Sequence, residues 1–444
     1  MLLNENEAKN LLTKILKHSS ADSALASLKG DNIYNLRFAR NSLTTNGFSD
    51  GLSLRITSNI GKKTGTVTTN RFDDESIKIA VKKSEDIARV SPENKEFMPP
   101  LGAQSYTEAK NYSADTENLL SEKRSEFISY IINGSVKNDV ICAGYMEDEV
   151  SFTAVMNTTG LFAYNKSSMA KLSSTVRTPD GTGSSRFEKN FFDINLLDHK
   201  KPADKVIERS KLSANPKEIP PGRYTVILEP SAAADMVNYC LGFMGSRGAD
   251  EGRSYFSKQG GGNLIGEMLA DPKVNIYSDP ADTNAPSIHF TEEGEPRSKV
   301  IWFENGVLKN LHRNRFWAEK TGQLSVPYPS NIIMKGSGKS VETLISETTN
   351  GILVTRLWYI RTVDPKTMLL TGLTRDGVFQ IQDGKISGSL KNFRFNESPV
   401  NILKNVIDMS ASEKAVGAES DDFPIYVPAL KVADFNFSSL SDAI

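Results

Sequence analysis

Leu11, Leu12, Ile15 and Leu16 recur at helical spacing, and this predicts an opening helix over about residues 6–18. The pattern then changes period. "NIYNLRFARNS" (32–42), "GLSLRITSN" (51–59) and "KTGTVTTNRF" (63–72) alternate polar and apolar positions between Asn/Gly turns, as antiparallel strands do. A polar segment with Pro92, Pro99 and Pro100 interrupts this alternation. Helical spacing returns at 115–132, where Leu119, Leu120, Phe127, Ile128, Ile131 and Ile132 can share a face. A strand meander to about residue 180 follows, in "DVICAGYM", "VSFTAVMNTTG" and "MAKLSSTVRTP". The expected fold of this half is α+β, with helices packed on a mostly antiparallel sheet.

Residues 198–222 are polar, charged and carry four prolines, so a domain boundary is expected there, within or beside a stretch that can still hold a short helix. The implied organisation is an N-terminal α+β domain (1–200), a boundary segment (201–220) and a C-terminal domain (221–444) dominated by antiparallel sheet with a few helices. The second half opens on the strand "RYTVILEP" and a helix at about 231–244. Short strands follow, separated by turns such as "ENG" and "QDG".

Composition narrows the function classes. At 444 residues the chain exceeds the size of one ordinary core, and 38% hydrophobic with 24% charged residues fits a soluble globular protein. With 53 Lys plus Arg against 54 Asp plus Glu, general nucleic-acid binding has no electrostatic support. The acidic N-terminus lacks the basic region of a signal peptide, and no apolar window is long enough to span a membrane, so a cytoplasmic location is expected. Cys142 and Cys240 lie far apart in apolar surroundings and read as reduced, buried thiols.

Motifs for chemistry are conspicuously incomplete. The four histidines, His18, His199, His289 and His312, include no pair at HExxH spacing, though a site assembled from His289, His312 and carboxylates such as Asp250 or Glu251 is an alternative. "GSGKS" lacks the first phosphate-loop glycine, which Ile333 replaces, so Gly336 and Gly338 are expected to turn and Ser340 to cap a short helix. The glycine-rich stretch after residue 245 has no GxGxxG order. Ser246 lacks a GxSxG context, and Cys240 sits on an apolar helix face that would make it a poor thiolate. Arg247, Asp250, Glu251 and Arg253 form either an ion-paired rim or a ligand-contacting loop. Arg313, Arg315, Phe316 and Trp317 in "NLHRNRFWAEKTG" are a second candidate contact loop, with ordinary packing as the alternative.

The ordered succession of "IPPGRYTVILEPSAAADMVNYCLGFMG", "GEMLADPKVNIYSDP", "ENGVLKNLHRNRFWAEKTG", "ETTNGILVTRLWYIRTVDPKTMLLTG", "DGVFQIQDGKI" and "YVPALKVADF" resembles the TldD/PmbA family, whose members have been described as modulators of DNA gyrase. The resemblance covers most of residues 217–434 and, more weakly, the strands near the N-terminus. In the TldD branch the corresponding helix carries HExxxH, two metal-binding histidines and a glutamate base, with a C-terminal cysteine as a further ligand. Alignment on Gly242 places Asn238 at the first histidine, Tyr239 at the glutamate and Phe243 at the second histidine, and no cysteine follows Cys240.

The chain is therefore similar to the PmbA/TldE branch. That resemblance implies a degenerate metal site, no catalytic residues and no cofactor in this chain, with zinc held by a TldD-type metalloprotease subunit that pairs with it and acts on peptide or unfolded substrates. A peptidase with an unusual metal site and a homodimeric peptide-binding module are the two rivals.

Overall fold

The computed structural model describes residues 1–420 and 423–442. Helix α1 (Glu5–Leu16) begins at a capping box: the Asn4 side chain accepts from the Glu7 amide and Glu7 accepts from the Asn4 amide. Six strands then build the first sheet, with β1 (Ser23–Ala39), β2 (Ser42–Ile60) and β3 (Lys63–Thr69) ahead of three helices. These helices are α2 (Asp74–Val90), α3 (Ala114–Glu117) and α4 (Ser121–Lys137). Strands β4 (Ile141–Asn157), β5 (Phe162–Arg177) and β6 (Ser184–Phe191) complete the sheet in the order β3-β2-β1-β4-β5-β6, antiparallel throughout.

Alternation assigns the two faces of this sheet. Ala26, Leu28, Leu54, Ile56, Phe152 and Ala154 turn to one side and pack with Leu12 and Ile15 of α1 and Ile77 and Val81 of α2. Farther along, Met146, Leu172 and Val176 pack with Phe127, Ile128 and Ile131 of α4. Gly65 lets α2 lie flush on β3: a Cβ there would stand 2.1 Å from the Ser84 carbonyl oxygen and 2.4 Å from the Ala88 nitrogen. Buried Arg124 of α4 donates to buried Asp148 of β4 through both ends of its guanidinium, pinning the helix to the sheet. Among the described residues the opposite face carries no helix.

One sequence expectation changes here. The helix expected at 115–132 is split, because the chain breaks between α3 and α4; Leu120 becomes the N-cap of α4 and is 69% exposed rather than part of an apolar face. The boundary segment holds the short helix its sequence allows: α5 (Lys200–Leu212) packs on β6, β5 and α4, with buried Ala203, Val206 and Ile207 in the α4 core. Proline is tolerated at residue 202 because it lies in the first turn, where its missing amide has no partner to lose.

The second sheet starts at β7 (Gly222–Leu228), followed by α6 (Pro230–Gly242) and α7 (Ser246–Asp250). It continues through β8 (Ile276–Ser278), β9 (Val300–Glu304) and β10 (Val307–Leu308) to α8 (Arg315–Thr321), β11 (Ile332–Met334) and α9 (Val341–Ser346). The long strands β12 (Asn350–Asp364) and β13 (Leu369–Gln382) precede β14 (Lys385–Ser389) and β15 (Phe393–Glu397). Helix α10 (Pro399–Lys404), β16 (Val406–Ala415) and β17 (Ile425–Leu440) end the described chain.

Most pairings are antiparallel, as expected, but β7 runs parallel to β12 and β11 parallel to β17. Strands β7, β12, β13, β15 and β17 pair in sequence, and β17 returns to β7, so these five close into a ring without a free edge. The largest core lies against this ring and takes in α6. Among the described residues no helix is long and apolar enough to cross a membrane.

Candidate functional site

Helix α6 is positioned from both ends. Pro230 occupies its first turn, and the preceding Glu229 is an almost fully buried N-cap. Burial alone would raise the Glu229 pKa, but Arg209 at 2.6 Å and Lys205 at 3.4 Å hold the carboxylate down to about 2. This pair ties α6 to α5 across the two halves of the chain. Ala232, Ala233, Met236, Val237, Cys240 and Leu241 sink into the large core, so only a narrow side of the helix reaches the surface. Burial pushes the Cys240 thiol up to about 12, which removes it as a nucleophile at neutral pH. Cys142 is likewise a free, buried thiol, as expected.

Asp235 is the unusual member of the helix. It is fully buried, and its carboxylate accepts the Ala418 and Glu419 amides at 3.0 and 2.9 Å. Desolvation raises its pKa to about 7 against these two hydrogen bonds. Gly417 completes the contact, because a Cβ there would stand 2.2 Å from Asp235 Oδ1. The loop so held returns to the neighbourhood of Tyr239: Glu419 accepts the Ile360 amide at 3.2 Å, and the Tyr239 hydroxyl donates to the Ile360 carbonyl at 3.0 Å.

Of the three aligned positions, Tyr239 and Phe243 pack partly buried against the large core, and Asn238 is half-buried beside them. Phe243 is the C-cap that ends α6. The donor set does not fit a zinc ion: a carboxamide, a phenol engaged by a backbone carbonyl and an apolar ring offer no imidazole, thiolate or carboxylate ligand. Among the described residues no three His, Cys, Asp or Glu side chains gather into a metal-binding group.

The two histidines of the alternative site do not join one donor group. His312 lies beside the turn after α6, where its carbonyl accepts the Ser246 amide and its ring packs edge-on against Tyr328. His289 contacts the Thr107 hydroxyl instead. Burial lowers the pKa of both, so both are neutral rings.

The charged loop beyond α6 is internally paired. Arg247 bridges Glu96 at 2.8 Å and Glu251 at 3.2 Å and lies 5.3 Å over the Trp317 ring; Arg253 also pairs with Glu251. Asp250 accepts from Trp317 Nε1 and from Asn263, each at 2.7 Å. Trp317 is thus turned inward, 6% exposed, and Arg313 is equally buried with its guanidinium donating to the Leu324 carbonyl. Arg315 donates to the Pro99 carbonyl and pairs with Glu293 at 3.6 Å. The seven candidate contact residues therefore knit α7, α8 and residues 96–99 together, leaving Arg247, Glu251 and Arg253 as their solvent-facing rim. Ser340 caps α9 by accepting the Thr343 amide, and Gly336 packs against the Ser410 carbonyl, so the "GSGKS" turn joins β11 to α9.

Sequence reasoning missed Asp235, Glu229 and Glu419. An aspartate inside "AAADMVNYC" was the available signal, since a charge on an otherwise apolar helix needs partners.

A family model for the PmbA/TldA metallopeptidase C-terminal domain matches residues 221–439, and one for PmbA/TldA metallopeptidase domain 1 matches residues 32–88. A curated protein from Methanothermobacter thermautotrophicus named "Metalloprotease" is 26% identical over 215 residues, a stretch that spans 44% of each chain, under half of the relative's length. Two solved structures share the fold at 17% identity. TldE from Thermococcus kodakarensis aligns with a TM-score of 0.85 over 96% of this chain and 99% of its own. A Thermotoga maritima protein described as a modulator of DNA gyrase aligns with a TM-score of 0.83 over the same shares.

Proposed function

Because the chain belongs to the PmbA/TldD metallopeptidase family, we propose that it is a noncatalytic, TldE-like subunit of a TldD-type metalloprotease complex, which encloses a chamber and admits peptide or unfolded substrates to its partner's zinc. The chemistry of α6 carries this reading: Asn238, Tyr239 and Phe243, which the family resemblance aligns with two imidazoles and a carboxylate, offer neither. The Tyr239 hydroxyl is engaged by the Ile360 carbonyl, and Phe243 packs on the core, so ordinary packing occupies the helix end that chemistry would use. The shared fold, with a buried ion pair and a buried aspartate holding α6, supports a scaffold whose chemistry resides elsewhere.

Affinity purification of this chain from its source cell, with identification of what accompanies it, tests the reading. A stoichiometric TldD-type metallopeptidase is expected. Purification as a homodimer with its own peptidase activity would overturn it.

A further inference from the structure

The helix-free face of the first sheet is lined differently from its covered face. Thr66 of β3, Ser53 of β2, Ser27 of β1, Thr153 of β4 and Ser167 of β5 all project there, one residue out of phase with the apolar set beneath the helices. Two cavities of about 680 and 670 Å³ lie over this face, roofed by residues 283–297, and Thr153 with Ile288 lines both. The second cavity adjoins a third of about 330 Å³ through Lys189 and Glu413, and that one reaches Glu229, Pro230 and Ser231 at the start of α6. Together they form one trough that crosses all six strands. Five strand spacings make it about 24 Å long, enough for about seven residues of extended chain.

Its chemistry selects an occupant. Asn111, Asn165 and Asn190 all line the middle cavity, are 9%, 6% and 3% exposed, and have side-chain carbonyl oxygens without a hydrogen-bond partner. Buried acceptors of this kind call for donors. Hydroxyl pairs such as Thr57 with Thr66 and Ser151 with Ser167, both at 3.1 Å, satisfy one another along the trough and can donate or accept when a ligand enters. In the two larger cavities Lys29 pairs with Glu292, Arg55 lies 3.9 Å from the same carboxylate and Lys189 pairs with Glu413, while Arg297 is turned to the Phe290 and Tyr328 carbonyls. A phosphate backbone gains little from such a wall, whereas the alternating amides of a polypeptide meet neutral donors and acceptors along its length.

We infer that this trough binds the main chain of an extended polypeptide, with little selection among side chains, and leads it across the sheet to the start of α6. The inference rests on the proposed role in admitting peptides, and adds the path and the recognition chemistry. Thr153, at the junction of the two larger cavities, is the point to block.

The test is fluorescence anisotropy of the full chain with two labelled, unstructured peptides of about twelve residues and scrambled sequence. Both are expected to saturate with affinities within about threefold of each other, and Thr153→Trp to lose roughly tenfold by filling the junction. Ser27→Trp plugs the neighbouring stretch of the same trough and replaces Thr153→Trp if circular dichroism shows that variant unfolded. Absence of saturable binding, binding undiminished in a folded tryptophan variant, or tighter binding of a single-stranded oligonucleotide would each overturn the inference. Peptide binding without any metallopeptidase partner would leave it standing while removing the subunit assignment, and a partner without peptide binding would do the reverse.

Discussion

Replacing Asp235 with asparagine isolates the strongest electrostatic feature of α6. The carboxyl titrates near 3.8 when unfolded and at about 7 in the folded chain, so the folded state binds more protons between those values and stability falls as pH rises. Its contribution is fully present below about pH 3.8 and is lost as pH passes through about 7. Single-site linkage with these two values gives a loss of about 2–3 kcal/mol between about pH 5 and pH 8. Asparagine keeps one acceptor for the Ala418 or Glu419 amide and turns its own amide toward the other, costing about 1–3 kcal/mol where the aspartic acid is protonated.

Urea unfolding of both proteins across this range provides the assay. The buried histidines titrate in both, so they cancel in the difference. The parent's advantage over Asp235→Asn should shrink by about 2–3 kcal/mol from about pH 5 to pH 8. Gly417→Ala, which pushes the loop off the carboxylate, should likewise alter the slope. Parallel curves for parent and Asp235→Asn would refute the placement of a buried, titrating carboxyl here.

Two further outcomes concern the buried ion pair at α6 and the two buried thiols. Glu229→Gln leaves Arg209 without its buried counter-charge and should cost about 3 kcal/mol by urea unfolding at neutral pH. Because its folded pKa is depressed to about 2, that difference is present above about pH 4.5 and should vanish as pH falls toward about 2. Cys142 and Cys240 should resist a thiol reagent such as dithionitrobenzoate in native protein and both react in denaturant; rapid labelling of Cys240 without unfolding would contradict its burial.

Much of the architecture was legible because alternation and turn residues are local signals. Helix α2 was not anticipated, although Asp73 caps it and Ile77, Ala80, Val81, Ser84 and Ala88 share its buried face. Lysines and acids dilute that stripe, and the prolines just beyond it draw attention to a loop. The first part of β1 escaped for a related reason: its inward residues Ala24 and Ala26 are too small to give a strong alternating signal.

The family resemblance placed Asn238, Tyr239 and Phe243 on one helix, but not what surrounds them. Asp235 meets amides more than 180 residues away, a separation that no local pattern reports. The threonines and serines of β1 to β5 likewise look like a solvent face until residues 283–297 are seen to roof them.

Metal content and peptidase activity, measured together on the purified chain and on its complex with a TldD-type partner, test the central claim most directly. The account predicts no stoichiometric zinc and no hydrolysis for the chain alone, and zinc with hydrolysis for the complex, both abolished by removing the partner's metal ligands. Stoichiometric zinc in the isolated chain, with hydrolysis lost on substituting His289 or His312, would contradict it.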